Sequence, residues 1–305
     1  MFSLIKFQVH IVVLLVLLIL LIESRVIFPN VPEIIDRESL LPDDFMIEDM
    51  VELENQDPEV LPNLYQGDIA LNNEIFNQLR VGLRWDTFPK KRWENRTIPY
   101  AISPLYEPED MITIMTAIRT LTRMTCLKFP KWNGKDKDFL LIWPIKYPKG
   151  CWSFVGKVGG PQILSLQPPD QTGPNCLGGE GRAIHEILHA VGIFHEQSRN
   201  DRDRFVKVVW DNIIPAYKGN FEKQSLENTT YSFEYDYKSI MHYGQSYFAK
   251  EKGKLTLVPK MKGEKLGQRK SLSQTDCLKV NELYGCLDNI KTAKKYYTLC
   301  RILGI

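Results

Sequence analysis

The chain has 305 residues, long enough to bury a real core in one large domain or two small ones. Its net charge of +2 argues neither for nor against nucleic acid, and with no interleaving of basic and aromatic residues no nucleic-acid partner is expected. Six cysteines and only five histidines make the placing of both residue types informative.

Met1 to Lys6 form a short basic start, and Ile11 to Ile22 is a purely aliphatic run. That run falls short of the ~20 residues that span a bilayer, so residues 1–24 read as a secretory signal peptide cleaved near Glu23 to Arg25, with no stable membrane insertion. The small-residue pattern at the cut is poor, which leaves an uncleaved signal anchor as the other reading. Export favours disulfides, and all six cysteines lie beyond residue 125, with spacing that does not choose among their connectivities. The sequons at Asn95 and Asn228 fit glycosylation in the same compartment.

Residues 25–83 read as a leader. From Pro32 to Pro62 it is acidic, punctuated by proline and poor in aromatics, which predicts an extended or weakly ordered segment. Tyr65-Gln66-Gly67-Asp68-Ile69 follows, then basic residues from Arg80 to Arg84 and at Lys90-Lys91-Arg92, natural sites for proteolytic trimming.

The globular body is expected over 84–287. Thr97 to Ile102 reads as a first strand, and Glu107 to Met124 as a helix whose stripe of Met111, Ile114, Met115, Ile118 and Leu121 is core. Phe139–Trp143 and Gln162–Leu166 are short apolar runs bounded by turn residues, hence strands. Gly159-Gly160-Pro161 lacks the strand-loop-helix setting of a phosphate loop and is read as a turn. Beyond residue 200 come polar loop and irregular helix (Asp201 to Phe205, Trp210 to Phe221), then a late helix from Gln274 to Tyr284. The basic end, 288–305, is either a surface tail or a short amphipathic helix.

The chemistry is concentrated in His185-Glu186-Ile187-Leu188-His189-Ala190-Val191-Gly192-Ile193-Phe194-His195-Glu196. Residues four apart share a helix face, so His185 and His189 can point at one ion. Glu186 is adjacent but angled off that face, where a base acting on a metal-activated water belongs. Gly192 ends the helix in a left-handed turn that returns His195 as a third ligand. The bland alternative, an amphipathic helix with two core histidines, does not account for the glycine and third histidine at these offsets.

With Ser239-Ile240-Met241-His242-Tyr243, this stretch closely resembles the astacin family of metzincin zinc endopeptidases. The resemblance runs from about Trp93 to Cys286 and includes His195-Glu196-Gln197-Ser198-Arg199, Cys151-Trp152-Ser153-Phe154-Val155-Gly156 and Asp201-Arg202-Asp203. It implies an α+β, two-lobed domain, with a twisted mixed sheet and helices in the upper lobe, a loop-rich lower lobe after Gly192, and one Zn2+ in the cleft. It implies that Met241 floors the three histidines. Tyr243 would be a fifth ligand that swings away to stabilise the oxyanion, the alternative being a packed aromatic. His242 is expected to be a structural neighbour. The family pairs imply Cys126–Cys286 and Cys151–Cys176, leaving Cys277 and Cys300 to bond to each other and pin the tail.

The resemblance also implies latency. Tyr65-Gln66-Gly67-Asp68 stands where the family has Phe-x-Gly-Asp, so Asp68 would sit on the zinc, and an activating protease would cut between Arg80 and Trp85. The freed N-terminus would then be bonded through water to Glu196. The strand Gln162–Leu166 resembles the family's cleft edge, which takes a protein or peptide substrate by strand addition. Gly267-Gln268-Arg269 resembles the segment that puts an arginine at the pocket after the scissile bond, favouring Asp or Glu there; the other reading is a surface arginine in a basic loop. A secreted zinc binder without catalysis is the competing function. Its signature would be loss of Glu186 or of a ligand, and all of these are retained.

Overall fold

Five strands and two helices carry the metal-binding segment. The computed structural model describes residues 57–62, 64–71, 91–169, 175–224 and 232–303. The expected signal segment, the basic residues from Arg80 to Arg84, Lys90 and the Asn228 sequon lie outside them. The described residues other than Asn133–Lys135 belong to one folding unit; Asn133–Lys135 form a turn closed by the Lys135 N–H on Asn133 Oδ1 at 2.8 Å.

The strands are β1 (Ile69–Ala70), β2 (Tyr100–Ile102), β3 (Phe139–Trp143), β4 (Trp152–Phe154) and β5 (Pro161–Ser165). They form one mixed sheet in the order β1-β4-β5-β3-β2, with β4 antiparallel to β5 and the other pairings parallel. β3 lies inside the sheet, between β5 and β2, and is apolar throughout, as a strand covered on both faces should be. Helix α1 (Pro108–Met124) begins on a proline whose missing N–H costs nothing at a helix start. Its Ile114, Ile118 and Leu121 are buried, and Met111 and Met115 pack partly against the same core.

Helix α2 (Glu180–Val191) is buried along nearly its whole length beside α1 and the sheet. Its last carbonyls are not left orphaned: Trp93 Nε1–H donates to Ala190 O at 2.8 Å and the Tyr284 hydroxyl to Val191 O at 2.9 Å. Beyond α2 the chain turns irregular, with short 3-10 turns and one two-stranded ribbon of β6 (Val206–Val208) and β7 (Leu257–Pro259). A second hydrophobic core, containing Val206, Phe221, Tyr235, Tyr243, Phe248 and Leu257, lies under these loops, apart from the core of the sheet and helices. The α+β class and the two lobes expected from the sequence are thus present as two cores.

Helix α3 (Gln274–Leu283) opens on a reciprocal capping box between Ser273 and Asp276. The basic end resolves to a helix, α4 (Ile290–Arg301), which buries Tyr296 and Cys300. The three disulfides are Cys126–Cys286, Cys151–Cys176 and Cys277–Cys300, as expected, and the last ties α4 to α3. Asn95 is exposed.

Two expectations need correction. The acidic leader is not weakly ordered throughout: at 57–62 it is packed, with Glu59, Val60 and Leu61 buried. The reason is pairing with basic groups distant in sequence. The strand at Gln162–Leu166 (β5) is not a cleft edge either, because it lies between β3 and β4. Among the body's strands β4 is the edge on that side, and the leader's β1 adds to it, Ile69 opposite Ser153 and Ala70 opposite Phe154. At three residues β4 is too short to show a strand pattern in the sequence.

Candidate active site

Helix geometry delivers the first two ligands. His185 and His189 lie one turn apart on α2, fully buried, with ring centroids 4.7 Å apart. Gly192 takes the left-handed conformation (φ 113°, ψ 15°), which a residue with a Cβ adopts only with strain, and its N–H caps the Leu188 and His189 carbonyls. The chain reverses there, and the His189 and His195 Nε2 atoms end 3.2 Å apart.

The outer nitrogens fix the tautomers. Nδ1 of His185 donates to Ile240 O at 2.8 Å, Nδ1 of His189 to Ile193 O at 2.8 Å, and Nδ1 of His195 to Gln66 Oε1 at 2.9 Å. All three Nε2 lone pairs therefore converge. Asp68 Oδ2 lies 3.1 Å from Nε2 of both His185 and His195, and its Oδ1 lies 3.6 Å from Nε2 of His189. Four electron-pair donors turned onto one point have no protons to share among themselves and call for a cation. Tetrahedral zinc bonded at about 2.0–2.1 Å sets its ligand atoms roughly 3.3 Å apart, and these spacings straddle that value. Burial lowers the pKa of His189 and takes that of His195 down to about 3, so both are neutral, as ligands must be.

Asp68 is held from its own backbone as well. Ser153 N–H donates to Asp68 O at 2.9 Å, and the preceding turn places Gly67 at φ 86°. A Cβ on Gly67 would come 2.7 Å from Glu59 O and 2.8 Å from the Phe248 ring, so this turn is closed to other residues.

Glu186 is fully buried, and neither carboxylate oxygen has a hydrogen-bond partner among the described residues. Burial first, then the charge of Asp68, push its pKa well above the ordinary value. Tyr243 stands 4.8 Å from the His195 ring, centre to centre. Its hydroxyl donates to the Gln66 carbonyl of the leader. Met241 is buried in the core of the sheet and helices, and its carbonyl accepts from Glu196 N–H at 3.0 Å. His242 is structural, as expected: its Nδ1–H donates to Tyr243 O at 3.0 Å and its Nε2 accepts from the Tyr235 hydroxyl at 2.7 Å.

Glu196 is buried and ion-paired with Lys279 and Arg199, the latter at 3.1 Å. Arg269, expected in a pocket or else on the surface, is half-buried with its side chain only 6% exposed, and Glu59 of the leader lies against it. Arg269 Nε contacts both oxygens of that carboxylate, at 2.8 and 2.7 Å. Burial alone would raise the Glu59 pKa; the Arg269 guanidinium, followed by His185, draws it down to about 2. Sequence reasoning missed Glu59, Arg182 and Tyr247. The excess of acid in the leader and of base at 260–270 was the available signal, without any indication of which charges meet.

A family model described as Astacin, a family of peptidases, matches residues 86–285. The chain is 39% identical over 237 residues to zinc metalloproteinase nas-4 of Caenorhabditis elegans, covering 76% of this chain and 72% of that protein. It is 40% identical over 225 residues to zinc metalloproteinase nas-13 of the same organism, covering 73% of this chain and 47% of that protein. It thus spans most of one relative and less than half of the other. Among solved structures, high choriolytic enzyme 1, a hatching enzyme zinc-protease from the medaka Oryzias latipes, superimposes with a TM-score of 0.57 at 35% identity, over 64% of this chain and 92% of that one. In the described residues no helix is long and apolar enough to cross a membrane.

Proposed function

We propose that this chain, which belongs to the astacin family of peptidases, is exported as a latent proenzyme and activated by removal of its leader. Membership makes it a zinc metalloendopeptidase, with proteins or peptides as substrates. The observation that carries latency is the Asp68 carboxylate, lying within 3.1–3.6 Å of the Nε2 atoms of His185, His189 and His195.

His185, His189 and His195 are the zinc ligands in this reading, and Asp68 is the fourth only while the leader is attached. Zinc held there would supply Lewis acidity and lower the pKa of water. Glu186 is placed to hold a proton taken from water and to return it to the leaving amine. Its two unpartnered oxygens beside the ligands support this role. The Tyr243 hydroxyl, released from Gln66 when the leader departs, donates to the developing oxyanion. Substrate adds to the edge of β4, the edge now used by β1. Arg269 selects an acidic side chain just after the scissile bond, and the Glu59 carboxylate lying on it supports that choice. The activating cut falls between Arg80 and Trp85, and the freed amine then approaches Glu196. The signal-like start, three disulfides and the exposed Asn95 sequon support export.

The test uses the chain folded whole and then cut in its 80–92 region, beside its Glu186→Gln counterpart, against a peptide library read by mass spectrometry. Cleavage only after processing, dependent on Glu186 and followed by Asp or Glu, is the expected outcome. A zinc-loaded, processed chain that cuts nothing would overturn the catalytic reading, and equal cutting before processing would overturn latency.

A further inference from the structure

We propose that Arg182 and Arg269 together form a subsite for two carboxylates beside the zinc helix, and that the processed enzyme uses it to bind peptide segments with acidic side chains two residues apart. Asp57-Pro58-Glu59 of the leader is its resident occupant. The inference rests on the reading of Arg269 as an acid-selecting residue and adds a second position to it.

Arg182 sits on α2 three residues before His185 and four before Glu186, hence on their side of the helix one turn back. Its Nη2 donates to Asp57 Oδ2 at 2.7 Å. Its Nε lies 3.5 Å from Glu59 Oε1, without a hydrogen-bond partner among the described residues, and so faces the same carboxylate that Arg269 holds. The Tyr247 hydroxyl donates to Glu59 Oε2 at 3.1 Å and completes the site.

The receiving groups are set by the body of the protein. Arg269 Nη1 donates to the His242 and Gln268 carbonyls, both at 2.9 Å, so its orientation does not depend on the leader. The Arg269 backbone lies directly on α2: a Cβ on Gly181 would come 1.9 Å from Arg269 O. Both guanidiniums are therefore built against the zinc helix. With the leader in place the Arg182 and Arg269 side chains are 25% and 6% exposed, and its departure costs this pair of positive charges both of its carboxylate partners. A ligand with two carboxylates replaces both; one with a single carboxylate replaces only one.

The occupant also defines the shape that fits. Asp57 O accepts from Val60 N–H at 2.9 Å and Asp57 Oδ1 from Glu59 N–H at 3.2 Å, a β-turn with aspartate first and proline second, both favoured there. Pro58 O accepts from Cys151 N–H at 3.0 Å, docking the turn beside β4. The preferred ligand class is an acidic-Pro-acidic turn.

The probe is the labelled hexapeptide Asp-Pro-Glu-Val-Leu-Pro, which copies residues 57–62. It is titrated by fluorescence anisotropy into the zinc-loaded Glu186→Gln chain, folded whole, then cut and freed of its leader. Replacing the peptide's Asp by Asn should weaken binding at least about tenfold, the worth of one charge-assisted contact. Arg182→Gln should weaken the parent peptide as much, and in that variant the Asp-to-Asn change should cost nothing more. If Asp-to-Asn is silent on the unmutated body while Glu-to-Gln weakens binding, the Arg182 position falls and the Arg269 reading stands. If neither substitution matters, or the peptide does not bind at millimolar concentration, both fall. The peptide substitutions decide the matter even should Arg182→Gln fail to fold.

Discussion

Replacing Asp68 by Ala should make the unprocessed chain active without making it fully active. The substitution removes a buried carboxylate lying 3.1 Å from two of the ligand nitrogens. Losing one partner of such a buried cluster costs about 3–4 kcal/mol, at the lower end for a buried pair, which lifts the leader-off population roughly 10²- to 10³-fold. The rest of the leader's hold survives. The Ser153–Asp68 contact is made by backbone, Gln66 still engages His195 and Tyr243, and Glu59 still lies on Arg269. A fluorogenic peptide, with mass spectrometry to establish that the 80–92 region is uncut, gives the measurement. The rate should rise by two to three powers of ten over the unprocessed parent and stay below the processed enzyme. Asp68→Asn should rise less than Ala, because its amide oxygen still approaches the site. Unchanged latency in a zinc-loaded Asp68→Ala chain would refute Asp68 as the blocking ligand; full activity would refute the contribution of the remaining contacts.

The other predictions are more compact. Glu186→Gln should keep its zinc, measured by atomic emission, and lose about 10²- to 10⁴-fold in turnover, the usual worth of a general base. Glu59 has a folded-state pKa of about 2 against an ordinary 4.5, so its contribution to stability, about 3 kcal/mol, is present above about pH 4.5 and lost as pH falls towards 2. In denaturant melts the gap between the parent and Glu59→Gln should accordingly be flat from neutral pH to about 5 and shrink below 4.5; a gap that grows in acid would contradict the ion pair. Gly181→Ala drives a Cβ into the Arg269 backbone and should cost about 1–3 kcal/mol while lowering acidic preference, read from melting temperature and library cleavage. Cys300→Ser opens a crosslink with a sequence separation of 23 and should remove about 3 kcal/mol; hydrogen exchange should rise in α4 and leave the segment 185–195 protected.

The parts of this molecule legible in its sequence are those set by local spacing. The four-residue step from His185 to His189, the glycine that must turn left-handed and the return of His195 are short-range geometry. The structure carries them as expected, to the converging Nε2 atoms. So too are the long α1 stripe and the apolar run of β3. What escaped is held by contacts between distant residues. Composition made residues 32–62 look loosely ordered, because it counts acidic residues without their partners. Glu59 finds Arg269, 210 positions away, and Asp57 finds Arg182, 125 positions away, and these pairings order the segment. The β4 edge escaped for a related reason: three residues carry too little pattern to reveal a strand that exists through its neighbours. Tyr243 shows that even a correctly located residue can be in a different state. Its position was legible from the Met-turn, but its partner in the leader-bearing chain is the Gln66 carbonyl, because the leader supplies an acceptor where the tyrosine would otherwise face the cleft. The catalytic geometry is thus encoded within about a dozen residues, whereas control of that geometry is spread over two segments more than a hundred residues apart. On the proposed latency, a change in the leader would alter when the enzyme acts while leaving all three histidines in place.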